Sequence, residues 1–153
     1  MPVIVIGADT LIGRAVAEKL AAGSGEVRAF ITDPDSATEL RDLGIKVAVG
    51  DVSDSSHVSG AAHQAYSAVV IAEAGRDARE RSFAKTFEAV ADVWATGLKE
   101  AGVQRIIWID PEQQPPASIE AAAAETVSIS DQDNPPGQIA EEVVRLDGLA
   151  RLD

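Results

Sequence analysis

The chain has 153 residues, 46% of them apolar, which suffices for the core of one domain. Thirteen basic against 25 acidic side chains leave a net charge of −12, which argues against a nucleic-acid backbone or an anionic membrane surface as partner. Cysteine is absent, excluding disulfides, zinc–thiolate sites and thiol nucleophiles, and no apolar run nears the roughly 20 residues of a membrane span.

In chain order, apolar periods of two and of 3.6 alternate. Strands are predicted over 3–6, 26–31, 46–49, 68–72 and 105–109, and helices over 11–22, 36–43, 55–64 and 79–101. Five apolar strands alternating with helices predict an α/β fold, a three-layer, doubly wound parallel sheet of five to six strands in a single domain spanning 1–153. The helix over 79–101 carries Phe83, Phe87, Val90, Val93, Trp94 and Leu98. That stripe is expected to cover the sheet, with a protein partner or a second copy of the chain as a further role for it. Residues 111–137 contain five of the seven prolines and are expected to form a long loop with one short helix near 119–125. A helix over 138–146 and a short closing strand over 149–153 end the chain.

The first turn carries the strongest signal. Val3-Ile4-Val5-Ile6 runs into Gly7-Ala8-Asp9-Thr10-Leu11-Ile12-Gly13, a strand, a glycine turn and the start of a helix. This is the opening of a Rossmann-like dinucleotide unit, in which the first glycine allows the tight turn and the last allows close packing of helix on strand. Thr10 stands where a bare backbone would meet a pyrophosphate, and both Asp9 and Thr10 are good helix N-caps. A phosphate cradle and a turn that caps itself are both open here.

From Met1 to about Asp110 the chain resembles the N-terminal part of the NmrA-like and atypical or extended short-chain dehydrogenase/reductases. The resemblance rests on the Gly7–Gly13 turn and on Val27-Arg28-Ala29-Phe30-Ile31-Thr32-Asp33-Pro34. It extends over Gly50-Asp51-Val52-Ser53-Asp54, Ala68-Val69-Val70-Ile71-Ala72 and Glu100-Ala101-Gly102-Val103-Gln104-Arg105-Ile106-Ile107. The stretch from Ala140 to Leu149 also looks like the family helix that precedes a sixth strand. The resemblance implies NAD or NADP as cofactor, held by Gly7, Asp9, Thr10, Leu11, Ile12 and Gly13 at the turn. Ile31 and Thr32 would read the ribose, Asp51 and Val52 would meet the adenine, and Ala72 would be a further cofactor-binding position. Neither an acid for the 2′-hydroxyl of NAD nor an Arg for the 2′-phosphate of NADP stands at Ile31 or Thr32, so weak discrimination between the two is expected. Arg28 reads as a solvated or edge residue and Asp33 as the start of a Pro turn.

At the chemical end the chain departs from the family. The family's orienting Ser or Thr after the fifth strand is replaced by Asp110, and its Tyr–Lys pair matches Asp131 to Gln138, where neither residue occurs. The family's C-terminal substrate domain has no counterpart, although the start at Met1-Pro2 reads as that of a whole gene product. Asp110 is expected to form a turn before Pro111, with a general base as the other reading. The charge run from Glu73 to Arg81 is expected to be a solvated loop and helix start, placed by the fold near the carboxyl edge where ligands bind, and Trp108 to be core. His57 and His63, six apart, are expected on different helix faces and form no metal pair.

No catalytic residue and no metal ligand is assigned. Three readings follow: a catalytically silent NAD(P)-binding sensor or regulatory subunit, an oxidoreductase working without the Tyr–Lys pair, and an assembly subunit with an empty crevice. The expected compartment is the cytoplasm, with no nucleic acid and no membrane among the partners. Replacing Thr10 with Gly is expected to tighten dinucleotide binding, measured as a lower dissociation constant for the reduced cofactor.

Overall fold

The computed structural model describes residues 1–112 and 114–152. Its elements are β1 (Val3–Ile6), α1 (Leu11–Ala21), β2 (Val27–Ile31), α2 (Ala37–Asp42), β3 (Lys46–Val49), α3 (Ser55–Ala62) and β4 (Ser67–Ile71). They continue with α4 (Phe87–Ala101), β5 (Arg105–Ile109), α5 (Ala117–Glu120), β6 (Glu125–Ile129) and α6 (Pro136–Asp147). Six parallel strands pair in the order β3-β2-β1-β4-β5-β6. β1, β4 and β5 are buried along their whole length because helices cover both faces, which is why they read as unbroken apolar runs. Ile4, Ile6, Val70, Ile106 and Trp108 face α3 and α4, while Val5, Val69, Ile71, Ile107 and Ile109 face α1 and α6.

The predicted strands and the first three helices stand within two residues of their expected limits, and three expectations need correction. The helix expected over 79–101 begins only at Phe87, where the Thr86 hydroxyl accepts from the Ala89 amide as N-cap. Ahead of it, residues 76–86 form a loop drawn inward by Arg79 and Arg81. Phe87, Val90, Val93, Trp94 and Leu98 all pack into the core, so the stripe is spent on the sheet. The outer face of α4 is Glu88, Asp92, Thr96, Lys99 and Glu100, and exposed Phe83 sits in the loop.

The second correction concerns the sixth strand. It lies at Glu125–Ile129 inside the expected loop, pairing with β5 from Arg105↔Glu125 to Ile109↔Ile129. The expected short helix shrinks to Ala117–Glu120, and the helix expected to precede a sixth strand follows it as α6, packing on α1. Alternating Thr126, Ser128 and Val127, Ile129 is an edge-strand pattern masked by the prolines on either side. Third, residues 149–152 form no strand, and Asp153 lies outside the described residues.

That tail is held from within the sheet. Arg105 is completely buried; it pairs with Glu125 at 2.8 Å and donates to the carbonyls of Leu146, Asp147 and Leu149 at 2.8–3.2 Å. One guanidinium thus satisfies the open carbonyl end of α6. Arg28 plays a smaller role of the same kind, half-buried, bonded to Glu26 and to the carbonyls of Ala61 and His63, rather than standing free in solvent. Arg105→Met is expected to destabilise the fold by about 3 kcal/mol through these orphaned carbonyls. A fall in the urea midpoint, with the tail becoming protease-sensitive first, is the measurement.

Candidate functional site

The carboxyl ends of β1, β2 and β4 meet at the Gly7 turn. Gly7 has φ +91°, and a Cβ built on Gly13 would lie 1.9 Å from the Gly7 carbonyl oxygen. Both glycines are therefore required for α1 to start directly against the end of β1. Thr10, only 6% exposed, folds under the turn: its hydroxyl donates to the Gly7 carbonyl at 2.6 Å and accepts from the Gly13 amide at 2.9 Å. It closes the turn and caps α1 from beneath, which corrects the expectation for Thr10→Gly: the change removes this cap and relieves no obstacle to a ligand. Among the described residues, the amides of Leu11 and Ile12 have no protein acceptor, so two of the four open donors of α1 remain for an anion. A cavity of about 230 Å³ opens beside Leu11, between the start of α1 and α2, lined by Asp9, Thr10, Leu11, Arg14, Ser36 and Glu39.

Asp9 is not a helix cap. Its Oδ2 accepts from the amides of Thr32 and Asp33, just past β2, at 2.9 and 3.2 Å, and its Oδ1 pairs with the Arg79 guanidinium at 2.9 Å. The two side chains are 5% and 9% exposed. Arg79 also pairs with Asp77 at 2.8 Å and reaches the Thr32 hydroxyl at 3.3 Å. Burial alone would lower the Arg79 pKa, but its bond to Asp77 and the charge of Asp9 raise it above the ordinary value. The charge run expected in solvent thus reaches into the crevice.

Next to this node Asp51 accepts from the Ser53 amide and hydroxyl at 2.8 and 2.5 Å, and from the Ser82 amide at 2.8 Å. Burial pushes its carboxyl up, yet the bonds from Ser53 and Ser82 prevail and hold it below the usual range. The Phe83 amide donates to the Ser53 hydroxyl at 3.0 Å, so residues 79–83 bridge the ends of β2 and β3. A cavity of about 260 Å³ lined by Thr32, Val49, Gly50, Asp51, Glu80 and Ser82 lies there.

Of the residues predicted to hold a cofactor, the turn, Thr32 and Asp51 come together at this edge. Ile31, Val52 and Ala72 also lie there, but their side chains are completely buried, leaving only backbone to face a ligand. Asp33 caps a short 3-10 turn at Pro34–Ser36, as expected. Arg79 was missed because a charge run carries no periodic signal; the Asp within a glycine turn was the clue to a buried partner.

Further along the edge, Asp110 is 3% exposed and forms two bonds to Arg76 at 3.0 and 3.2 Å, with the Trp108 indole donating at 3.3 Å. Arg76 also stacks 3.8 Å above the Phe87 ring. Asp110 is thus the buried partner of a cation as well as a residue before a Pro turn. Asp131, just past β6, has a buried Oδ1 with no partner among the described residues. Burial pushes its carboxyl up, and the Asp110 charge adds to this. A hollow of about 430 Å³ lined by Ile129, Asn134, Gln138 and Arg145 opens nearby. His57 and His63 are separate: His57 accepts from the Asp51 amide at 3.2 Å, while His63 ends α3. Among the described residues no group of three or more His, Cys, Asp or Glu could hold a metal ion, and no helix is long and apolar enough to cross a membrane.

A model of NAD(P)H-binding domains matches residues 7–113, well over half of the chain. The chain belongs to this NAD(P)H-binding family. The resemblance to NmrA-like and atypical short-chain dehydrogenase/reductases holds, and NAD or NADP is the cofactor class it carries. No curated protein matches in sequence. Among solved structures, ChuY, an anaerobillin reductase from Escherichia coli O157:H7, is 17% identical with a TM-score of 0.68, the match covering 100% of this chain and 93% of that one. Triphenylmethane reductase of Citrobacter sp., complexed with NADP(H), is 15% identical with a TM-score of 0.60, over 95% of this chain and 46% of the other. The E. coli quinone oxidoreductase QOR2, complexed with NADPH, is 17% identical with a TM-score of 0.58, over 96% and 46%. At these identities the structures show a shared fold.

Acid should loosen the crevice loop. Asp51, and Asp77 where its bonds to Arg79 outweigh the upward push of burial, both have pKa values lowered in the folded chain. Their stabilising contribution is complete above the unfolded Asp value of about 3.9 and is lost as pH falls through the lower folded values. Thermal midpoints are expected to decline below about pH 4, and Asp51→Asn should flatten that decline.

Proposed function

We propose that the chain is an NAD(P)H-binding sensor or regulatory module built on the short-chain dehydrogenase scaffold, without the chemistry of its reductases. The observation that carries the binding half is the Gly7–Gly13 turn with the free amides of Leu11 and Ile12 beside an open cavity. Two N–H donors at a helix start, approached over glycine, fit a pyrophosphate, while Arg14 in the neighbouring cavity is already paired with Glu18 and Glu39. Thr32, Gly50, Asp51 and Ser82 would then border the adenosine half. When bound, the reduced nicotinamide supplies a hydride. The absence of chemistry is supported by the sequence, which has no Tyr after Tyr66 and no Lys after Lys99, and by the pairing of Asp110 with Arg76.

A second reading, an NAD(P)H-dependent reductase, is favoured by two observations. The chain spans nearly the whole of ChuY, which is described as a reductase. Asp131 opens the stretch that corresponds to the family's Tyr–Lys pair, and its raised pKa would suit a proton donor.

A thermal-unfolding titration with NAD, NADH, NADP and NADPH decides the binding half. At about 100 times the dissociation constant, a bound dinucleotide stabilises the fold by about 2.7 kcal/mol, expected here as a midpoint rise of several degrees. No rise with any of the four would refute it. Oxidation of NADH or NADPH with quinone, flavin or tetrapyrrole acceptors, abolished in Asp131→Asn, would replace the sensor reading by the reductase one.

A further inference from the structure

The sequence places neither an acid nor an Arg at the ribose-reading positions after β2, yet the fold brings both there from elsewhere. The Asp9 carboxylate arrives from the Gly7 turn and the Arg79 guanidinium from the loop after β4, and the two meet at the Thr32 amide and hydroxyl. Two backbone amides and a buried guanidinium converging within 3.2 Å form an anion subsite. In this protein the anion is its own side chain.

We infer that Asp9 is the residue that selects the cofactor, filling the anion subsite at the end of β2 so that the chain takes NAD(H) and rejects NADP(H). This rests on the binding reading above and names its ligand class. A 2′-phosphate entering beside Thr32 would need the donors that Asp9 already holds, and it would meet that carboxylate's charge in a buried setting. Asp77 adds a second carboxylate to Arg79, so the guanidinium has no charge to spare for a phosphate. A ribose 2′-hydroxyl has the opposite requirement. It needs an acceptor, and Asp9 Oδ1, ion-paired with Arg79 at 2.9 Å but making no aligned hydrogen bond, has lone-pair capacity left to accept one.

Two further groups complete the local charge balance. Arg81 pairs with Asp77 at 3.3 Å and donates to the carbonyls of Ala74 and Asp77. It is therefore committed to the loop itself. Glu80 lines the cavity beside Thr32 and adds a further acidic group on the adenosine side. With Asp9 uncharged, Arg79, the Thr32 and Asp33 amides and the Thr32 hydroxyl become a set of donors suited to a phosphate.

The test is direct titration of the full chain with NADH and NADPH, followed by nicotinamide fluorescence, for the native protein, Asp9→Asn and Asp9→Asn/Arg79→Met. The native chain is expected to bind NADH at least tenfold more tightly than NADPH. Asp9→Asn should weaken NADH and tighten NADPH until the preference disappears or reverses, and adding Arg79→Met should remove the gain for NADPH. Equal or tighter binding of NADPH by the native chain would overturn the inference without any variant, so its fate does not depend on Asp9→Asn folding. An unchanged ratio in a folded Asp9→Asn would also overturn it, while leaving dinucleotide binding intact. Binding of neither cofactor by the native chain would overturn the functional reading and this inference together.

Discussion

The contact on which the crevice depends is the approach of Gly13 to the Gly7 carbonyl, too close for any Cβ between them. Because α1 starts hard against β1, its first amides point out over the sheet's carboxyl edge instead of into a loop. The same geometry throws the side chain between the two glycines sideways, toward β2. Thr10 turns under and closes the turn, and Asp9 turns out and crosses to Thr32. A single close packing thus sets both the direction of the anion donors and the position of the charge that competes for them.

From Asp9 the connections spread through electrostatics rather than apolar packing. Arg79 links Asp9 to Asp77 and Thr32, and the Ser82 and Phe83 amides tie the same loop to Asp51 and Ser53. Four segments that are far apart in the chain are joined by these bonds, with the Asp9 and Arg79 side chains buried at the centre and the outer members part-exposed. In such surroundings an unmatched charge costs far more than at the surface, so the members are expected to act as a unit. This is also why residues 79–86 are not helical. Arg79 and Arg81 gain more from carboxylates and carbonyls near the crevice than from continuing α4 toward its N-terminus, where cations oppose the helix dipole.

How much of this was readable in the sequence follows from what each signal encodes. The buried strands β1, β4 and β5 declare themselves because both faces are covered and every position is apolar. The edge strand β6 does not: Glu125–Ile129 is half-exposed throughout, alternates polar and apolar residues, and sits between prolines that suggest a loop. The Gly7 turn was legible from its spacing, whereas the partner of Asp9 was not, since a contact between residues 9 and 79 exists only after three crossovers have brought β4 beside β1. Arg105 went unnoticed for a related reason. A charged residue opening a strand reads as an edge group, and only the fold shows two carbonyls at the end of α6 and one in the tail beyond it waiting for it.

The two halves of the carboxyl edge therefore carry different kinds of information. On the side of β1, β2 and β3, donors, cavities and charges converge in a way that suits a nucleotide. On the side of β5 and β6, Asp110, at the position the resemblance gives to an orienting Ser or Thr, is locked to Arg76, and Asp131, opening the stretch the resemblance gives to the Tyr–Lys pair, is raised by burial and by its neighbour's charge. On the proposed reading, dinucleotide binding depends on the Gly7 turn and the Asp9–Arg79 pair, and any chemistry depends on what stands at Asp110 and Asp131.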